Sequence, residues 1–173
     1  MGHKIETYIS EQEIKNRVIQ LGQQISAEYA DQEVTIVAVL NGSFIFCADL
    51  LRQIKCPVRI EFIAASSYDG MKRSQNLEIK MDLQKDINNC HVILVEDIVD
   101  TGRTSTHLLE MIKEKNPKSL KFCAFLFKPD QMKYKVHIDY IGFEIEDHFV
   151  VGYGLDMSGL HRELPYIGIY HAE

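Results

Sequence analysis

The chain of 173 residues lacks the features that mark several protein classes. Its longest uninterrupted apolar stretch, from Phe122 to Phe127, has six residues, against the roughly 20 that a membrane-spanning helix requires. Positive charge is scarce: 19 basic against 25 acidic side chains give a net charge of -6, which disfavours the broad phosphate contacts of non-specific nucleic-acid binding. An anionic ligand must then be met by a metal ion or by backbone groups. The four cysteines, Cys47, Cys56, Cys90 and Cys123, include no CxxC pair and have no histidine at zinc spacing, so reduced, packed thiols are expected. The opening MGHKIETYIS has no apolar core of a signal peptide, and the expected location is the cytoplasm. No GxSxG, GxxxxGK[ST] or HExxH occurs, which leaves serine hydrolase, P-loop and zincin chemistry without support. Gly152 and Gly154 begin a dinucleotide fingerprint, but its third glycine would fall on Met157.

What is present is an ordinary globular composition, 46% apolar and 25% charged, at a length that suits a single domain over residues 1–173. Ser10 and Glu13 form a capping-box pattern ahead of Ile14, Val18, Leu21 and Ile25, which predicts a helix from Ser10 to Tyr29. Val34 to Leu40 is β-branched and nearly all apolar, as in a parallel strand covered on both faces. A helix from Ser43 to Ile54 and an alternating strand from Val58 to Ala64 follow. Residues 66–75 show no periodicity and read as a long connection, after which Leu77, Ile79 and Met81 alternate. His91 to Val95 predicts a strand, Asp97 to Gly102 a turn and Thr104 to Lys115 a helix. Further strands are expected at 122–127, 140–143, 149–153 and 166–169. Strands alternating with helices imply an α/β fold with a mainly parallel central sheet, whose ligands bind beyond the carboxyl ends of its strands.

The segment VEDIVDTGRT, Val95 to Thr104, carries the chemistry. An apolar strand runs into Glu96, Asp97 and Asp100, and three carboxylates so close together repel one another unless a cation or a polyhydroxyl compound meets them. Thr101, Gly102, Arg103 and Thr104 then supply hydroxyls, a glycine permitting close backbone approach and the N–H groups of a helix start, which suits a phosphate monoester. A ligand with a phosphate at one end and a diol further along satisfies both halves, as a ribose 5-phosphate unit does. The alternative is a solvated acidic turn with an N-cap.

This ten-residue segment closely resembles the signature of the type I phosphoribosyltransferases, which bind 5-phosphoribosyl 1-pyrophosphate. VLNGS (Val39 to Ser43), SSYDG (Ser66 to Gly70), FKPD (Phe127 to Asp130) and FVVGYGLD (Phe149 to Asp156) resemble the hypoxanthine-guanine branch of that family and extend the likeness over nearly the whole chain. The resemblance implies a central sheet flanked by helices, with a small hood from roughly residues 1–10 and 150–173. It implies that Glu96 and Asp97 grip the ribose hydroxyls, directly or through Mg2+, that Asp100 is the catalytic base, and that Thr101 to Thr104 hold the 5-phosphate. Asn41, Gly42, Ser67, Tyr68 and Arg162 become pyrophosphate residues, with Ser67 and Tyr68 in a loop that closes over it. Ile98, Lys128, Phe149, Val150 and Asp156 become purine residues, and Glu96, Asp97 and Asp156 the candidates for metal. Without the resemblance, Lys128 reads as a solvated charge, Phe149 and Val150 as core, and Asp156 with Arg162 as a surface ion pair.

The implied reaction is transfer of the phosphoribosyl group to N9 of hypoxanthine, and of guanine, with release of pyrophosphate, by a homodimer or homotetramer without nucleic-acid or membrane partners. Lys128 at the purine 6-oxygen would leave adenine a poor substrate. Two other readings stay open at this point. One is a regulator of the same fold that senses the sugar donor and binds nucleic acid, although the sequence offers only short basic clusters such as Lys113 to Lys121; the other is an enzyme for xanthine or uracil. One departure from the family pattern is Asn41, where a lysine often stands. The family's contact there runs through backbone N–H groups beside a non-proline cis peptide, an arrangement open to asparagine.

Overall fold

The computed structural model describes residues 4–67 and 77–171. In chain order its elements are β1 (Lys4–Ile9), α1 (Glu11–Tyr29), β2 (Val34–Leu40), α2 (Phe44–Gln53), β3 (Val58–Ser67), β4 (Leu77–Met81), β5 (His91–Val99), α3 (Arg103–Glu114), β6 (Ser119–Phe127), β7 (Tyr140–Glu144), β8 (Val150–Val151) and β9 (Ile167–His171). The capping box is present at α1, where the Ser10 hydroxyl accepts from the Glu13 N–H and the Glu13 carboxylate accepts from the Ser10 N–H.

Six strands form one sheet in the order β4-β3-β2-β5-β6-β7, parallel throughout except for β4 against β3. Because strand side chains alternate between faces, the all-apolar strands supply two cores. Ile36, Ala38, Ile93, Val95, Cys123 and Phe125 face Val18, Leu21, Ile25, Phe46 and Leu50 of α1 and α2. Val37, Val39, Val92, Leu94, Phe122 and Ala124 face Leu108 and Ile112 of α3. Each fully buried side chain of this size contributes roughly 1.5–3 kcal/mol, so both faces of the sheet are firmly anchored beneath the loops at its carboxyl edge. A second sheet, antiparallel in the order β1-β9-β8, joins the two ends of the chain and forms the small hood that the resemblance implies.

Three expectations need correction. β5 does not stop at Val95 but runs on to Val99, because pairing with β6 continues through Glu96↔Ala124, Ile98↔Leu126 and Val99↔Phe127. Glu96 and Asp97 are therefore strand residues, and the turn begins at Asp100. β3 likewise extends over Ser66 and Ser67, which pair with Glu78 and Leu77. The strand expected at 149–153 shrinks to Val150–Val151, since positive φ angles at Gly152, Tyr153 and Gly154 turn the backbone away from the sheet. β1 carries no apolar alternation and finds its place through pairing with β9. Cys47, Cys56 and Cys123 are buried free thiols and Cys90 is partly so. Among the described residues no helix is long and apolar enough to cross a membrane.

Candidate active site

The carboxyl ends of β2 and β5 lie side by side, and the connections that leave them enclose a cavity of about 300 Å³. Its walls include Asn41 and Gly42 after β2, residues 96–98 and 100–105 along β5 and the start of α3, and Asp156 and Arg162 from the loop before β9. The three motifs singled out for sugar, phosphate and pyrophosphate thus converge on one space.

Glu96 is 4% exposed and accepts a 2.6 Å hydrogen bond from the Ser105 hydroxyl on its Oε2, while its Oε1 is buried without a partner. Burial pushes its carboxyl up to about 8, against the Ser105 hydrogen bond, and the adjacent Asp97 adds to the rise. Asp97 is pushed up to about 6, mainly by burial; backbone hydrogen bonds and Arg162 act in the opposite sense and Asp156 in the same sense. An unpartnered buried oxygen and two elevated carboxyls describe a site that is short of donors or positive charge.

The Leu40–Asn41 peptide bond is cis, as the resemblance implies for this loop. Gly42 follows against Asp97, where a Cβ would lie 1.5 Å from the Asp97 Oδ2, so any side chain there would displace that carboxylate or the loop. At the other end of the cavity Gly102 sits at φ 79°, a left-handed conformation that glycine adopts freely. It is the N-cap of α3 and offers the helix N–H groups no side-chain acceptor. The Thr101 carbonyl accepts from the N–H groups of Lys133 and Tyr134, both at 3.0 Å, which pins the turn from outside. A helix start without a side-chain cap carries partial positive charge into the cavity beside Thr101, Arg103 and Thr104. Asp100 is exposed at the head of this turn.

Asp156 and Arg162 do form an ion pair, at 2.7 Å, but in the cavity wall rather than on open surface. Arg162 also donates to the Gly154 carbonyl at 2.5 Å, and Asp156 accepts from the Gly159 N–H at 2.6 Å, so the pair is fixed to its loop. Among the described residues no cluster of three or more His, Cys, Asp or Glu side chains forms a metal cage. One or two carboxylates with substrate oxygens is the arrangement that magnesium usually takes.

The residues assigned to the base lie apart from this lining, except Ile98 and Asp156. Lys128 is 7% exposed, its backbone N–H bonded to the Val99 carbonyl and its ammonium donating to the Asp147 Oδ1 at 2.9 Å. The Gln131 amide donates to the other oxygen of Asp147, also at 2.9 Å. Phe149 is 53% exposed, edge-on to Tyr170 at 5.9 Å, and Val150 is buried in β8. The bland readings of Lys128 as a solvated charge and of Phe149 as core both give way. Ser67 ends β3, and Tyr68 lies outside the described residues.

Sequence reasoning passed over Ser105, Asp147 and Gln131. Ser105 had a signal: with Leu108 and Ile112 it completes the buried stripe of α3, where a hydroxyl needs a partner. Asp147 and Gln131 are 16 residues apart, outside the main helices and strands, and had none.

Comparison with known proteins agrees with this geometry. The family described as "Phosphoribosyl transferase domain" matches residues 5–158. A hypoxanthine phosphoribosyltransferase of Salmonella typhimurium is 43% identical over 171 residues, 97% of this chain and 96% of that protein. A hypoxanthine-guanine phosphoribosyltransferase of Dictyostelium discoideum is 42% identical over 94% of this chain and 93% of its own. The crystal structure of a hypoxanthine-guanine phosphoribosyltransferase from Bacillus anthracis superposes with a TM-score of 0.92 at 39% identity, covering 99% of this chain and 100% of that one.

Proposed function

The chain belongs to the phosphoribosyl transferase family, and on that premise we propose that it is a purine-salvage enzyme. It moves the 5-phosphoribosyl group from 5-phosphoribosyl 1-pyrophosphate to N9 of hypoxanthine, and of guanine, and releases pyrophosphate. The observation that carries this reading is the cavity lined together by Glu96, whose Oε1 has no partner, by the start of α3 and by Arg162. Those are the complements of a ribose diol, a 5-phosphate and a pyrophosphate.

Glu96 and Asp97 accept hydrogen bonds from the ribose hydroxyls, and the backbone and hydroxyls of Thr101 to Thr104 hold the 5-phosphate. As the bond from C1 to pyrophosphate lengthens, positive charge grows on the sugar near these carboxylates and negative charge on the leaving group near Arg162 and the N–H groups of Asn41 and Gly42. Asp100, exposed at the strand end, takes up or shares the purine proton. Ile98 and Phe149 flank the ring, Val150 offers backbone groups to its edge, and Lys128, held by Asp147, donates to the 6-oxygen. The excess of carboxylate fits a divalent cation: one or two of Glu96, Asp97 and Asp156 would hold Mg2+ together with oxygens of the sugar donor. When bound, Mg2+ supplies neutralisation of the charge that gathers on pyrophosphate.

The enzyme works in the cytoplasm as a homodimer or homotetramer of one phosphoribosyltransferase domain. Self-association is supported by Val58, Ile60 and Phe62, which leave a row of apolar side chains 36–38% exposed along β3. A panel of bases with labelled sugar donor tests the activity. Hypoxanthine and guanine should give the nucleoside monophosphate and pyrophosphate; faster turnover of adenine or uracil would overturn the assignment.

A further inference from the structure

Glu96 has two oxygens with opposite fates. Oε2 is bound by the Ser105 hydroxyl at 2.6 Å, and Oε1 is buried with no partner. Ser105 is itself 2% exposed, in the first turn of α3, one residue beyond the Thr101 to Thr104 cradle, and it lines the same cavity. A carboxylate has two equivalent oxygens and several rotamers, and burial alone does not choose among them. A hydroxyl donor on a rigid helix does, because it occupies one oxygen from a fixed direction.

We propose that Ser105 is a positioning residue for the sugar donor: it holds Glu96 from behind, so that Oε1 is presented to a ribose hydroxyl in register with the phosphate cradle on the same helix turn. This deepens the reading of the cavity as the sugar-donor site and rests on it. The contact joins β5, which carries the diol group, to α3, which carries the phosphate group, and so sets the distance between the two halves of the ligand. The helix periodicity that puts Ser105 on the buried stripe with Leu108 and Ile112 keeps its hydroxyl away from solvent.

The test is calorimetric titration of 5-phosphoribosyl 1-pyrophosphate at fixed Mg2+ into the full chain and its variants, beside steady-state kinetics. Ser105→Ala should weaken donor binding by roughly ten- to a hundredfold, in the range of a hydrogen bond to a charged group. Ser105→Cys, nearly isosteric but a weak donor, should weaken it similarly. KM for hypoxanthine should stay within about twofold in both, and Ser105→Ala should add less than about twofold in a Glu96→Ala background. Equal weakening with and without Glu96, or undiminished donor affinity in Ser105→Ala, overturns the inference. A wild-type chain that takes up no donor removes the premise as well, whereas a binding wild type with an unaffected Ser105→Ala removes this inference alone.

Discussion

The two ends of the proposed site, one for sugar and phosphate and one for the base, are built in different ways. The sugar and phosphate end comes mainly from one continuous stretch, Glu96 to Ser105, in which a strand, a turn and a helix start are fixed by the sheet beneath them. The base end is gathered from the end of β5, the turn after β6 and the segment entering β8, and it includes a half-exposed ring and a lysine held by a carboxylate 19 residues away. The first end is preorganised and short of donors; the second is open on one side. A contiguous segment delivers a fixed grip on the invariant part of a ligand, and separate segments leave room to select the variable part.

The largest expected effect lies where the two ends meet. Asp100→Asn should lower kcat by roughly 10²- to 10⁴-fold, the usual range for a general base, with both KM values little changed. Near wild-type turnover in a folded variant would remove Asp100 from the chemistry. Next, Gly42→Ala should weaken donor binding by about a hundredfold, because its Cβ would lie on the Asp97 carboxylate, while KM for hypoxanthine stays put. A matching change in both constants would mean that the two ends are not separable.

On the base side, Lys128→Ala should raise KM for hypoxanthine roughly ten- to a hundredfold, narrow the preference over adenine and spare donor affinity. Initial rates with paired bases measure this, and an unchanged preference would refute the role. Stability should also distinguish the two ends. A carboxyl raised by burial binds its proton more tightly when folded, so the free protein should lose stability as pH rises from the ordinary carboxylate range through about 8 for Glu96 and about 6 for Asp97. The slope for one such group cannot exceed about 1.4 kcal/mol per pH unit. Thermal midpoints without Mg2+ should fall across this window, and Glu96→Gln should flatten the fall. The smallest effect is expected of Phe149→Leu, a few-fold rise in KM for the purine alone.

The same contrast governs what could be read from sequence. The apolar runs of β2, β5 and β6 announced a parallel sheet, and the crowded carboxylates beside Gly102 marked the stretch that lines the cavity, because both signals are local. Among what escaped were the continuation of β5 through Glu96 and Asp97, where pairing with β6 outweighs the polarity of the residues, and β1, which is placed by its pairing with β9. The roles given to Lys128, Phe149 and Val150 rested on resemblance, since nothing in their own neighbourhoods tells a base contact from a core residue or a surface charge. Asp147, which holds Lys128, is invisible without the fold.

The most direct measurement is equilibrium dialysis of labelled 5-phosphoribosyl 1-pyrophosphate with Mg2+, in the absence of any base, against the wild type and a Glu96→Gln, Asp97→Asn double variant. The account requires saturable uptake of one donor per chain by the wild type and a loss of at least about a hundredfold in the double variant. Equal uptake by both proteins, or none by either, would contradict it.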